Sequence, residues 1–209
     1  MSLFLIFIIG GYVRMATWSY TIGPGYYYDH YELLNNAQNV KDYLEAQGFS
    51  PSAIVGILAN MEHESYVNPG QQQHGYHGDP SQGYGLVQWT PGTKIINYAN
   101  SVHGDWYDGD IQMDFLMING PQSWGSAYNV SWNEYKELTD VYYAVEVFFW
   151  NFERGTWDNV MYSYADFYYN YFYGTMPPQP PTPPQPPDPP GGDTDYLMAL
   201  FLYLAKGFK

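Results

Sequence analysis

The sequence predicts a mainly α-helical fold with at most a small β-hairpin. Apolar residues recur at helical spacing through most of residues 31–175, and that period is typical of amphipathic helices. Cysteine is absent, so neither disulfides nor thiolate metal sites can hold the fold together. The chain has 209 residues, enough for one domain of about 100 to 150 residues with appended segments.

The first two helices have the clearest sequence signals. Tyr31 to Gly48 carries apolar residues on one face, and Gly48 is placed to end the helix. Ser50 and Pro51 then form a cap and a first-turn proline for a second helix that ends near Ser65.

The rest of the body is predicted as a loop followed by shorter helices. Residues 66–83 are rich in Gly, Gln, His, Asn and Pro and indicate a loop, and residues 84–89 form a short apolar stretch that suits an extended segment. Helical patterns then cover residues 93–102, 110–118, 132–138, 140–154 and 157–173.

Composition divides the chain into four parts: an apolar and aromatic arm (1–30), the helical domain (31–175), a proline-rich linker (176–193) and a short apolar helix (194–209). The apolar run from Leu3 to Ile9 is far shorter than the roughly 20 residues of a membrane helix, and no basic residue precedes it as in a signal peptide. The prolines predict an extended spacer. The last helix either docks on a partner or folds back on the domain.

Charge and aromatic content narrow the range of ligands. Seven Lys and Arg residues against 21 Asp and Glu give a net charge of -14, which disfavours nucleic acids and anionic lipid surfaces. Aromatic residues make up 20% of the chain, 24 of them tyrosines. Tyr and Trp offer flat surfaces with a polar edge, which suits a groove for sugars or proteins.

Two carboxyl groups near the end of the second helix are candidates for acid catalysis. A carboxyl group at the end of an apolar helix beside a polar loop is desolvated, and desolvation raises its pKa so that a proton remains available for a glycosidic oxygen. Glu62 and Glu64 diverge by about 160° on a helix, so one cleft can use only one of them. We choose Glu64, which directly precedes the loop; a solvated surface carboxylate is the alternative.

The surrounding residues resemble a known family. The patterns Ala-Asn-Met-Glu-His-Glu-Ser-x-x-Asn-Pro (59–69) and Gly-x-Gly-Leu-x-Gln-Trp-Thr (83–90) are similar to those of phage tail-tip lysozymes, and also to goose-type lysozymes and lytic transglycosylases. The resemblance implies a lysozyme-like fold, Glu64 as the catalytic acid, and Gln88 and Trp89 on the cleft wall. Residues 152–154 resemble the family's late aromatic-Glu-Arg segment.

The sequence gives weaker signals for the remaining candidate site residues. Ser65 and Tyr84 join Gln88 and Trp89 as substrate-binding candidates, since flat aromatics stack on sugar rings, although core packing is the alternative for any aromatic. Asp79 is our candidate for a second catalytic carboxylate; an Asp that turns the loop before Pro80 is the alternative. The loop histidines match no zinc spacing, so we predict neither metal nor cofactor.

The resemblance thus implies a phage peptidoglycan hydrolase of muramidase type, placed at the virion tail tip and acting on the host cell wall. A lytic transglycosylase using the same glutamate, or a non-catalytic virion protein with a lysozyme-like fold, are the alternatives. Peptidoglycan is the expected partner, and other virion proteins or a membrane would bind the C-terminal helix.

Overall fold

The computed structural model describes residues 7–9, 12–14, 17–24 and 30–176. This part of the chain contains mainly α-helices, seven in number. It also contains a two-stranded antiparallel sheet in which Ile8 lies opposite Val13. The elements are β1 (Phe7–Ile9), β2 (Tyr12–Arg14), α1 (His30–Ala46), α2 (Pro51–Ser65), α3 (Thr93–Ser101), α4 (Gly109–Ser123), α5 (Trp132–Lys136), α6 (Val141–Phe148) and α7 (Val160–Tyr173).

Helix α2 is the central element and packs against α1, α6 and α7. The side chain of Ser50 accepts a hydrogen bond from the amide of Ala53 and so caps its first turn. Gly56 lets α6 approach closely, since a Cβ there would lie 2.8 Å from the backbone of Ala144. Asn60 then joins the two helices, because its amide donates to the carbonyl oxygens of Gly56 and Val145 at 2.8 and 3.2 Å.

The loop between α2 and α3 is held by amide side chains rather than by a sheet. Buried Gln112 of α4 accepts from the amide of Leu86 at 2.8 Å and donates to the carbonyls of Pro69 and Trp106, both at 2.7 Å. One side chain therefore satisfies three backbone groups, of which those of Pro69 and Leu86 are buried. Its own exposure is nil, so these bonds are shielded from water.

The helical segment predicted over 140–154 is not a regular α-helix throughout. α6 ends at Phe148, and residues Phe149–Glu153 form a π-helical turn that ends at Arg154 in the left-handed region (φ +58°). Buried Asn151 explains the change, because its side chain bonds the backbone of Tyr128 and Val130 in the loop after α4. A regular α-helix would turn this amide elsewhere.

Two other predicted boundaries also change. The fourth helix, predicted over 110–118, runs from Gly109 to Ser123 and contains Pro121, whereas the last, predicted from Trp157, begins at Val160. The segment 84–89 is a tight turn in which Tyr84 and Trp89 exchange backbone hydrogen bonds at 3.0 and 3.3 Å.

The predicted linker (176–193) and C-terminal helix (194–209) lie outside the described residues, apart from Met176. Most of the N-terminal arm (1–30) is also outside them. None of the helices in the described ranges has the length and apolar character needed to span a bilayer.

Candidate active site

A cleft of about 1000 Å³ opens where the C-terminal end of α2 meets the following loop, α4 and the π-helical turn. Its walls combine carboxyl, amide, imidazole and aromatic groups. The lining residues used below are His63, Glu64, His74, Gln88, Trp89, Lys94, Phe152, Glu153 and Arg154. A site of this size and polarity can hold a polar polymer segment.

Glu64 lies in this cleft, in the last turn of α2. Its side chain is 22% exposed, and its Oε1 lies 3.5 Å from Nδ1 of His63. Glu62, two residues earlier, is buried on another side of the helix and does not line the cleft. Its burial raises the pKa of Glu62 to about 7, and the Tyr168 hydroxyl beside it lowers it by less. The helical geometry therefore separates the two glutamates as expected.

The four predicted binding residues fall into two groups. Gln88 and Trp89 line the cleft, although Trp89 is only 4% exposed and its indole nitrogen donates to Asn119 at 3.1 Å. Ser65 and Tyr84 are buried beneath it. The hydroxyl of Ser65 donates to the carbonyls of Met61 and Leu86 at 2.9 and 2.7 Å, which ties the end of α2 to the 84–89 turn.

Gln88 owes its place to a tight backbone turn. Gly85 has φ +81°, and Gln88 itself lies in the left-handed region at φ +45°. The Gln88 side-chain amide donates to the carbonyl of Gly85 at 2.9 Å. Non-glycine residues at positive φ are uncommon and recur at functional sites, so this turn holds Gln88 against the cleft at a backbone cost.

Asp79 lies on the exposed part of the loop and is not among the residues that line the cleft. Its carboxylate accepts from the amide of Ser81 at 2.9 Å, and the hydrogen bonds from Ser81 lower the pKa of Asp79. This geometry matches a loop-turning Asp. Its catalytic role stays a prediction.

A carboxyl group other than that of Asp79 lies in the same cleft as Glu64. Glu153, at the end of the π-helical turn, lines the same cleft, and its Oε1 is buried with no hydrogen-bond partner among the described residues. Burial first, and the charge of Glu64 second, raise the pKa of Glu153 well above its usual value. The sequence analysis assigned no catalytic role to Glu153, and the signal for its place was the aromatic-Glu-Arg segment at residues 152–154.

The neighbouring charges of the cleft include two cations. Arg154 is anchored by a hydrogen bond from its guanidinium to the carbonyl of Ser123, and Lys94 comes from the first turn of α3. Within the described ranges, no group of three or more His, Cys, Asp or Glu side chains is arranged to hold a metal ion. The arrangement can bind a polar substrate and transfer protons.

Comparison with known proteins places this geometry in a family. A profile of the phage tail lysozymes matches residues 35–172, which include Glu64, the 84–89 turn and Glu153. The chain belongs to the phage tail lysozyme family. The cleft of this phage tail lysozyme homologue thus lies wholly within the matched range.

One curated relative adds a second similarity. Morphogenesis protein 1 of Bacillus phage B103 is 36% identical to this phage tail lysozyme homologue over 110 residues. That alignment covers 52% of this chain but only 30% of the relative. The shared part is therefore less than a third of the longer protein.

Proposed function

We propose that this protein cleaves the glycan strand of host peptidoglycan as a muramidase, with Glu64 as the catalytic carboxyl group. The observation that carries the proposal is the meeting of Glu64 with Gln88 and Trp89 in one cleft. A carboxyl group that lies beside an aromatic residue and an amide has the groups needed to protonate the glycosidic oxygen of a bound sugar.

The chemistry divides into proton transfer and positioning. Glu64 gives a proton to the oxygen that joins two sugars, so that the leaving strand departs as an alcohol. Trp89, which is only 4% exposed, supports the wall of the cleft from behind, while Gln88 offers an amide to sugar hydroxyl or acetamido groups. Ser65 and Tyr84 contribute by holding this wall in place rather than by contact with the cleft.

Partners and location follow from the same proposal. The name of the phage B103 relative, a morphogenesis protein, supports placement on a virion, and the family name supports the tail. We propose that the protein acts at the host wall from the tail tip, and that the apolar segment 194–209 attaches it to another virion protein or a membrane. Nucleic acid is not a proposed partner, because the net charge is -14.

A lytic transglycosylase is the second candidate, and the position of Asp79 favours it. In that reaction the muramic 6-hydroxyl replaces water, so Glu64 acts as acid and then as base without a second carboxylate. The loop carboxylate of Asp79 turns towards Ser81 and does not line the cleft. Hydrolysis that relies on Asp79 would require this loop to move.

Mass spectrometry of digested peptidoglycan tests both candidates. Purified sacculi are incubated with the full chain and with the Glu64→Gln variant as control. Reducing ends that appear only with the unaltered chain support a muramidase, and 1,6-anhydro ends support a transglycosylase. The absence of any product from either protein would leave a non-catalytic virion component, and the proposal of an enzyme would be wrong.

The Asp79→Asn variant separates the routes in a second way. An amide oxygen can still accept from the amide of Ser81, so we expect the loop to keep its turn. Loss of most activity would establish Asp79 as the second carboxylate of a hydrolase. Near-normal activity would show that the reaction proceeds without it.

A further inference from the structure

We propose that Glu64 and Glu153 act as one coupled pair of carboxyl groups that holds a single proton in the cleft and supplies it to the reaction. The inference rests on the proposed function, because it concerns the proton that Glu64 is to donate. It assigns to Glu153 a positioning role exerted through Glu64.

The first argument is geometric. Both side chains line the same cleft, Glu64 from α2 and Glu153 from the π-helical turn. The segment after Glu153 runs past Glu64 closely, because a Cβ at Gly155 would lie 3.9 Å from Oε1 of Glu64. Two carboxyl groups so placed cannot both ionise without repulsion.

The second argument is the unpartnered oxygen of Glu153. Its Oε1 is buried and accepts no hydrogen bond from the described residues, and an ionised oxygen in that state has lost its hydration without any compensating bond. The neutral form avoids the cost. Burial and the charge of Glu64 both raise the pKa of Glu153, which agrees with the geometry.

The third argument is the backbone that places Glu153. The π-helical turn is closed by a hydrogen bond from the amide of Arg154 to the carbonyl of Phe149 at 2.7 Å, and Arg154 then adopts φ +58°. Such turns and positive φ values recur at functional sites. The side chain of Asn151, in the same turn, accepts a hydrogen bond from the amide of Tyr128 in the loop after α4. The position of Glu153 is therefore defined.

Other titratable and charged groups set the context of the pair. Those that line the cleft beside it are His63 of α2, His74 of the loop, Lys94 of α3, and Arg154. Lys94 and Arg154 are cations, and cations favour the charged form of a carboxyl group, so these two oppose the effect of burial. Arg154 is partly engaged by the carbonyl of Ser123.

The proposed cycle balances in protons. Singly protonated, the pair gives its proton through Glu64 to the glycosidic oxygen, and the bond between that oxygen and the sugar carbon breaks. The pair is then doubly charged, and its repulsion makes it a stronger base. It takes a proton from the attacking water or 6-hydroxyl, whose oxygen bonds to the sugar carbon, and the singly protonated pair is restored.

The test compares pH profiles of peptidoglycan cleavage for the unaltered chain, Glu153→Gln and Glu62→Gln. Without the like charge of Glu153, the upper pKa of the cleft falls. We expect the alkaline limb of the Glu153→Gln profile to move by about one pH unit or more, a roughly tenfold loss of activity at pH 8 with little loss at pH 5. Glu62→Gln, a buried glutamate outside the cleft, should leave the limb in place.

A second measurement does not depend on activity. Carbon-13 NMR of glutamate-labelled protein follows the titration of Glu153 in the unaltered chain and in Glu64→Gln, where we expect its midpoint to fall. An unchanged midpoint, or an alkaline limb that Glu153→Gln does not move, overturns the pair. If the protein cleaves nothing at any pH, the proposed function fails while the NMR titration still decides whether the carboxyl groups are coupled.

Discussion

At the scale of single residues, Glu62 and Glu64 show how position on a helix determines the role of a carboxyl group. They are two residues apart on α2, and successive side chains turn by about 100°. Glu62 therefore enters the protein interior near α7, whereas Glu64 reaches the cleft. The same residue type thus becomes a buried stability determinant at one site and a candidate catalyst at the other.

We predict that Glu64→Gln lowers peptidoglycan cleavage by about 10² or more, because the amide keeps the shape but has no proton to give. Glu62→Gln should reduce the rate far less. Turbidity loss of cell-wall suspensions measures both variants, with thermal melting as the control for folding. The opposite ranking of the two variants would show that Glu64 is not the acid.

At the scale of elements, the cleft depends on packing between α2, α4 and the loop that joins α2 to α3. Ser65 ties α2 to the 84–89 turn, and Gln112 of α4 bonds the backbone of Leu86 within that turn and of Pro69 before it. Buried polar groups must be paired, so these side chains set the loop conformation. The rigidity of this side of the cleft therefore depends on the contacts beneath it.

We predict that Gln112→Ala lowers the free energy of unfolding by about 3 kcal/mol, because it removes the partners of the buried backbone groups of Pro69 and Leu86 and of the half-buried carbonyl of Trp106. Urea unfolding measures the change. Gln122→Ala, an exposed glutamine of the same helix, should stay within about 0.5 kcal/mol. Equal effects of the two substitutions would mean that Gln112 does not organise the loop.

The interface between α2 and α7 should make stability depend on pH through Glu62. Burial raises the pKa of Glu62 from 4.5 to about 7, so the folded state holds this proton more tightly than the unfolded state. The stabilisation is complete below about pH 4.5 and is lost as the pH rises through about 7. We expect a loss of roughly 3 kcal/mol across this range.

Thermal melting between pH 4.5 and 8 checks this expectation, with Glu62→Gln as the comparison. The amide does not titrate, so the variant should lose less stability as the pH rises. Glu153 acts in the same direction because its pKa is also raised, and the variant curve should retain that part. Parallel curves for both proteins would exclude Glu62 as a source of the dependence.

At the scale of the whole molecule, the charges at the cleft differ from the charge of the chain as a whole. The net charge is -14, yet Lys94 and Arg154 accompany the two glutamates at the cleft. An acidic protein gains no long-range attraction to an anionic wall. Attachment to a particle would supply the local concentration instead, since a tether replaces free diffusion.

We predict that removal of residues 177–209 leaves cleavage of purified peptidoglycan nearly unchanged but abolishes attachment to the virion or to a membrane. The cutoff keeps Met176, whose amide donates to Asn170 at 3.3 Å. Activity and melting of the shortened protein check the first part, and co-purification with particles checks the second. A fall in melting temperature of more than a few degrees, roughly 1 to 2 kcal/mol, would indicate that the segment packs on the domain.

The sequence alone determined the helical class, the start and end of α2, and the residue types around the cleft. These features depend on local information: apolar spacing, the Ser50-Pro51 cap, and a motif contained in one helix and one turn. Gln88 and Trp89 follow from the same motif, because the turn that presents them is only six residues long.

Only the tertiary structure decided where α6 changes to a π-helical turn, which candidates are buried, and which carboxyl group meets Glu64. Asn151 bonds a loop more than 20 residues away in sequence, and no local pattern records that contact. Glu153 is 89 positions from Glu64, so their proximity depends on the packing of α2 against α6. The position of Asp79 depends likewise on how its loop folds, because side-chain contacts between distant segments carry no period in the sequence.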